Sequence, residues 1–241
     1  MLPIARTLIV RPARATIRPA PALRTGRIVA RRGAGRGRRA QAAAAALCHT
    51  ASRYFPQKDG AMLVGLISDT HVPESGPDTW PQVYQRFREE RVDAILHGGD
   101  MHVLQVLDNL ERRVGVPVYA CRGNGDNGSG GRPVCPDDPR LQEDWVFEWE
   151  GFRIGLTHDI ALPEWPPYRT LESVMERHFG GRCHIVVHGD THVAEVSYLR
   201  GVLLVNSGSP VYPRNMDVSL GTIAFLELKR GRARAWIEQL V

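Results

Sequence analysis

The stretch Leu63-Val64-Gly65-Leu66-Ile67-Ser68-Asp69-Thr70-His71 passes directly from an aliphatic run into an acid, a hydroxyl and an imidazole. A short continuous apolar run of this kind reads as a strand buried on both faces. Side chains alternate along an extended segment, so Asp69 and His71 are expected on one side and Ser68 and Thr70 on the other. The pair would then present two potential metal ligands at a strand end. An isolated Asp-x-His is weak evidence, so its meaning rests on what else converges there.

Two later strand ends repeat the layout. Helical spacing of Val83 and Phe87 predicts a helix over residues 80–91, and Val92–His97 reads as a strand ending in Gly98-Gly99-Asp100. The glycines permit a sharp turn that lets Asp100 lean over the strand end, although Asp in this position also caps helices. Val103, Leu104, Val106, Leu107 and Leu110 mark a second amphipathic helix. Residues 114–120 then read as a third strand, ending in Cys121-Arg122-Gly123-Asn124-Gly125-Asp126. Asn124 offers a neutral amide oxygen there, and Asn is equally common in simple turns. Alternating strands and helices predict a largely parallel sheet, whose ligands bind beyond the carboxyl ends of its strands.

The second half reads differently. Trp145–Trp149 and Phe152–Leu156 flank Glu150-Gly151 as a hairpin whose second strand ends in Thr157-His158-Asp159. A Pro- and Trp-containing loop over 162–168 precedes a helix over 170–178, and Ile185-Val186-Val187 leads into His188-Gly189-Asp190-Thr191-His192. Two strands around Arg200-Gly201, the loop Asn206-Ser207-Gly208-Ser209-Pro210 and a hairpin around Arg230-Gly231 complete a pattern that predicts a second, hairpin-rich sheet packed on the first.

The strand-end polar residues are Asp69, His71, Asp100, Asn124, His158, Asp190 and His192. Oxygen and imidazole donors without thiolates suit divalent ions such as Mn, Fe, Ni or Zn, and seven donors exceed what one closed site needs. In this order the set resembles the calcineurin-like metallophosphoesterases, close to their small prokaryotic phosphodiesterase branch, over residues 62–241. The resemblance implies an α/β fold, a four-layer α/β/β/α sandwich of two mixed sheets flanked by helices. It also implies two divalent ions, with Mn favoured and Fe, Ni, Zn or Mg as other fits. Asp69, His71 and His192 would hold one ion, Asp100 would bridge, and Asn124, His158 and Asp190 would hold the other. The expected reaction is phosphodiester hydrolysis by attack of a metal-bridging hydroxide, with Asp69, Asp100, Asn124 and His158 as the catalytic set. Asn124 and Arg122 would contact the substrate, the guanidinium of Arg122 matching phosphate oxygens. His97, His102, His184 and His188 are placed outside the ligand set, as structural histidines.

Departures from the family pattern sharpen these expectations. Gly125 stands where larger family members carry a leaving-group histidine and the small branch usually a cysteine, which favours diesters or good leaving groups over ordinary monoesters. Asp190 stands where the motif reads Gly-His-Thr-His, so a carboxylate replaces an imidazole. Ser207 replaces the proline of an Asn-Pro-Gly-Ser loop. Two other functions remain open: a non-catalytic scaffold, as in the related retromer phosphoesterase-like subunit, and a nuclease.

Charge separates the chain into two parts. Of its 31 basic residues, 13 lie in residues 1–61, and of its 26 acids only Asp59 does, which leaves 18 basic against 25 acidic residues and a net charge of −7 for the remainder. That charge disfavours long nucleic acids as partners of the domain, so a small phosphoester is expected instead, with a homo-oligomer left open. The Arg/Ala-rich leader, residues 1–61, reads as disordered. It fits an organellar transit peptide, a nucleic-acid-binding arm, or a segment upstream of a true start at Met62. Nothing approaches the length of a membrane span. Cys48, Cys121, Cys135 and Cys183 lack paired spacing, which fits a reducing compartment. The expected location is the cytoplasm, or a mitochondrion or plastid if the leader is a transit peptide.

Overall fold

The structure, a computed structural model, describes residues 28–31, 60–160, 169–211 and 221–240. In chain order its strands are β1 (Ile28–Arg31), β2 (Ala61–Ile67), β3 (Ala94–His97), β4 (Val118–Cys121), β5 (Leu141–Gln142), β6 (Asp144–Trp149) and β7 (Phe152–Leu156). They continue as β8 (Ile185–His188), β9 (Glu195–Leu199), β10 (Val202–Asn206), β11 (Thr222–Lys229) and β12 (Arg232–Gln239). The helices are α1 (Pro81–Glu89), α2 (Gln105–Val114) and α3 (Leu171–Phe179).

Among these residues the strands form two mixed sheets, ordered β12-β11-β2-β3-β4-β5 and β1-β6-β7-β8-β10-β9. Period-two alternation explains how the sheets stack. Val64 and Leu66 of β2 face Ile154 and Leu156 of β7, Ile185 and Val187 of β8, and Leu203 and Val205 of β10 in one buried core. The opposite faces carry the helices. Tyr84 and Phe87 of α1 and Leu107 and Leu110 of α2 pack on Ile95, Val118 and Phe225. Leu171, Met175 and Phe179 of α3 pack on Val146, Val186 and Leu204. The result is the expected α/β/β/α sandwich. A glycine admits an aromatic ring on each outer face: a Cβ at Gly65 would lie 2.8 Å from Phe87, and one at Gly155 would lie 2.5 Å from Phe179.

The helix ends reflect local chemistry. Pro81 opens α1, where its missing N–H costs nothing. Gly115 closes α2 in the left-handed conformation, at φ 85°. Thr170 and Ser173 cap each other's backbone at the start of α3.

The structure corrects two expectations about elements. The hairpin around Arg230-Gly231 does not join the second sheet, because β11 pairs antiparallel with β2 along Ala224–Lys229. Val114 ends α2, and the third strand begins only at Val118. Within the leader, Ile28–Arg31 pairs antiparallel with β6; all but Gly60 and Ala61 of the rest of the leader lies outside the described residues, as does the loop over 161–168. Met62 lies inside β2 and is buried in the core between the sheets. No described helix is long and apolar enough to cross a membrane. Cys121, Cys135 and Cys183 are free and buried.

Candidate metal centre

Strand β2 stops at Ile67, and the backbone beyond it is not extended. Asp69 and His71 adopt φ values of 53° and 47°, in the left-handed region. The alternation expected for these residues therefore does not hold. Their convergence comes instead from a turn laid against the end of β3. Asp69 N–H donates to the Gly99 carbonyl at 2.9 Å, and His71 N–H donates to that of Asp100 at 3.0 Å. The same conformation recurs at Asp100 and His102, with φ 54° and 70°, and at Asp190 and His192, with φ 69° and 57°. Left-handed backbone costs a residue with a Cβ on the order of 1 kcal/mol, and such strain concentrates at functional sites.

These turns draw the donor atoms together. The Nε2 atoms of His71 and His192 are 3.0 Å apart, and His192 Nε2 lies 3.5 Å from Asp69 Oδ1. On the other side, His158 Nε2 lies 3.1 Å from Asn124 Oδ1 and 3.5 Å from Asp190 Oδ1. The Asp100 carboxylate faces both groups, with Oδ2 at 3.9 Å from His71 Nε2 and Oδ1 at 3.7 Å from His158 Nε2. All seven strand-end residues thus belong to one contiguous set.

The electrostatics fit a cation. Both carboxylate oxygens of Asp69 are buried without a hydrogen-bond partner among the described residues. Burial, reinforced by Asp100 and Asp190, pushes the Asp69 carboxyl up to about 7. Burial and the neighbouring His102 and His192 lower His71 to about 4, which keeps it a neutral ligand at neutral pH. Burial opposes charging of His158, but the carboxylates of Asp190, Asp69 and Asp100 outweigh it and raise the imidazole to about 9. An uncompensated buried carboxylate is costly, whereas carboxylate, amide and imidazole donors around a divalent ion satisfy one another.

The surrounding loops hold these groups in place. Asn206 donates to the Gly189 carbonyl at 2.8 Å and accepts the Gly208 N–H at 2.8 Å, which links the Asp190–His192 turn to the loop after β10. Ser209 donates to the Asp69 carbonyl at 2.7 Å, and Ser68 to that of Gly208 at 2.7 Å. His158 Nδ1 donates to the Gly98 carbonyl at 2.7 Å, leaving Nε2 turned to the donor set. Two neighbours explain the small residues here: a Cβ at Gly98 would lie 2.8 Å from Ser68, and one at Gly189 would lie 2.7 Å from Asp69 Oδ2.

Residues 62–231 match the sequence profile of the calcineurin-like phosphoesterase superfamily domain. The chain belongs to the calcineurin-like phosphoesterase superfamily. Within it, the chain is 33% identical over 161 residues to a probable metallophosphoesterase of Methanothermobacter thermautotrophicus, spanning 66% of this chain and 83% of that protein. The calcineurin-like fold also appears in solved structures. Vacuolar protein sorting 29 of Cryptosporidium parvum superposes with a TM-score of 0.54 at 20% identity, over 76% of this chain and 99% of that one. A structure titled as a novel archaeal phosphodiesterase superposes with a TM-score of 0.51 at 18% identity, over 73% of this chain and 100% of that one.

Other side chains surround this calcineurin-like site. Arg122 donates to the carbonyls of Cys135 at 2.9 Å and Pro136 at 3.1 Å and lies 3.4 Å from Asp137 Oδ1. His97 is fully buried and bonds Thr70 Oγ1 at 3.2 Å, His184 accepts the Arg153 N–H at 2.9 Å, and His188 lies 3.4 Å from the Asn206 amide. His102 is different, because its ring nitrogen lies within 4.8 Å of ligating atoms of His71 and Asp100. The sequence carries a usable signal for it: Asp100-Met101-His102 has the same Asp-x-His spacing as residues 69–71 and 190–192. Asp126 escapes the sequence reading too, although it stands directly after Gly-Asn-Gly at a strand end.

Proposed function

We propose that this domain is a divalent-metal-dependent phosphodiesterase with a dinuclear site. The observation that carries the reading is the placement of Asp100, whose two carboxylate oxygens face His71 on one side and His158 on the other. Asp69, His71 and His192 would hold one ion, Asn124, His158 and Asp190 the other, and Asp100 both. Once bound, such ions polarise a phosphoester and acidify water at neutral pH, so the protein itself need supply no nucleophile.

The protein's own groups have positional roles. The Nδ1–H of His158, held by the Gly98 carbonyl, fixes the ring so that Nε2 faces the site. Asn124, exposed at the rim, is placed to orient a phosphate oxygen through its amide. Gly125 offers no proton to a departing oxygen, which favours diesters with good leaving groups. The family's metal dependence and the probable metallophosphoesterase relative support this reading.

Purified protein loaded with Mn should hydrolyse bis-p-nitrophenyl phosphate faster than p-nitrophenyl phosphate. Chelation should abolish the activity, and Asp100→Ala should reduce it by at least about 100-fold, as expected when a group essential to the chemistry is removed. Absence of metal-dependent hydrolysis would instead support a binding scaffold on this fold.

A further inference from the structure

Three Asp-x-His turns meet at this site, and the ligand set inherited from the family uses the histidine of only two. In the third, the His102 side chain is only 4% exposed, in a turn held left-handed at φ 70°. Its Nδ1 lies 2.9 Å from Glu74 Oε2, and the other Glu74 oxygen accepts from Arg132 Nε at 2.8 Å. These contacts tie Nδ1 of His102 through Glu74 to Arg132 and leave Nε2 on the opposite edge of the ring.

His102 Nε2 is buried and has no hydrogen-bond partner among the described residues. The ring stands edge-on to that of His71, with centroids 4.6 Å apart, and a ring nitrogen lies within 4.8 Å of ligating atoms of His71 and Asp100. Its position also depends on Gly125, since a Cβ there would lie 2.3 Å from His102 Nε2. The His102 N–H donates to Asp126 Oδ1 at 2.7 Å, on the carboxylate that also receives the Asp100 N–H at 2.8 Å. The clamp that places Asp100 therefore places His102 as well. A histidine whose only task was to pair with Glu74 would not explain the buried, unpartnered Nε2. A carboxylate on Nδ1 with Nε2 facing a donor set is the usual support for a metal-bound imidazole.

We propose that His102 is an additional ligand of the metal centre, binding through Nε2 beside His71 and Asp100, with Glu74 as its orienting carboxylate. This rests on the metal-site reading above and goes beyond it. The ion next to His71 would then have three imidazoles, His71, His102 and His192. The ion next to His158 would have one imidazole with Asn124 and Asp190. The two positions thus differ in character: the first suits Zn, Ni or Co, and the second suits harder ions such as Mn.

The test is titration of metal-free full-length protein with Zn against a chromophoric chelator, together with the visible spectrum of the first Co equivalent. His102→Gln should weaken the tightest Zn site by roughly 10- to 100-fold and change the Co spectrum, and Glu74→Gln should weaken it by about 10-fold. Gly125→Ala, whose Cβ would lie 2.3 Å from His102 Nε2 and 3.1 Å from Asp100 Oδ1, should act in the same direction. If the wild type binds Zn tightly, Asp100→Ala loses that binding, and His102→Gln and Gly125→Ala leave it unchanged, then the role of His102 is overturned while the metal site stands. A wild type that binds no metal overturns both.

Discussion

The Asp126 carboxylate receives the backbone N–H of Asp100 at 2.8 Å through Oδ2 and that of His102 at 2.7 Å through Oδ1. The N–H groups of Met101 and Gly123 complete the arrangement at 3.1 and 2.8 Å. One buried side chain thus ties the turn after β3 to the turn after β4, and both turns carry donors of the site. Asp126→Ala would leave up to four buried N–H groups without their acceptor. A loss of about 3–5 kcal/mol is expected in denaturant unfolding. Weaker metal binding should accompany it, because the turn carrying Asp100 loses its support. A variant with wild-type stability and metal affinity would show the clamp to be dispensable.

Metal removal should loosen the fold. A ligand present at about 100 times its dissociation constant stabilises by about 2.7 kcal/mol, or roughly 5–10 °C in Tm for a domain of this size. Chelator-treated protein should therefore melt lower than metal-loaded protein by about that amount. Asp69 has two buried carboxylate oxygens without a hydrogen-bond partner among the described residues, so Asp69→Asn should raise the Tm of the metal-free form and abolish the response to metal. Differential scanning calorimetry of both proteins, with and without Mn, reads the two effects separately.

Asp190 is half-exposed and lies 3.5 Å from His158 Nε2, in a position where an imidazole would be less anionic by one charge. Asp190→His should move the order of activation away from Mn and towards softer ions such as Zn or Ni. It should also strengthen inhibition by phosphate, since the site would be more positive. An activation series identical to the wild type's would remove any special role for the carboxylate.

Away from the site, Arg140 grips Asp138 with two nitrogens at 2.9 and 2.8 Å and reaches Asp108 and Glu111 at 2.7 and 2.9 Å, pinning the segment before β5 to α2. The Arg140 hydrogen bonds hold the Asp138 carboxyl below its usual range, against the opposing effect of burial. A carboxyl depressed on folding contributes stability above its unfolded pKa and loses that contribution as pH falls through the folded value. Asp138→Asn should therefore be less stable than wild type at pH 7, and the gap should narrow as pH falls below the usual carboxylate range of about 4. A gap that stays constant on that acidification in urea melts would exclude the ion pair as its source.

Local pattern makes much of this protein legible in its sequence. The apolar runs of β2, β3 and β8, the spacing of Val83 and Phe87, and the glycine-rich turns all identify their elements, because a strand or helix buried on a sheet must repeat its apolar residues at the period of its backbone. The chemistry of the site is legible too, since Asp69, His71, Asp100, Asn124, His158, Asp190 and His192 all stand at strand ends. The mechanism of their convergence is not. The left-handed turns at Asp69 and His71 depend on carbonyls of Gly99 and Asp100, which a distant strand supplies.

The sequence alone therefore determined most of the element order, the two packed sheets and the donor types, because these depend on periodicity and residue chemistry, while the sandwich followed from the family resemblance. Only the tertiary structure placed the β11–β12 hairpin on β2, engaged Arg122 with a loop, and brought Asp126, Glu74 and His102 to the metal centre. Each of these outcomes is a contact between a side chain or strand edge and backbone or side-chain groups remote in sequence. Such contacts have no local period, and they exist only once the strand ends are side by side.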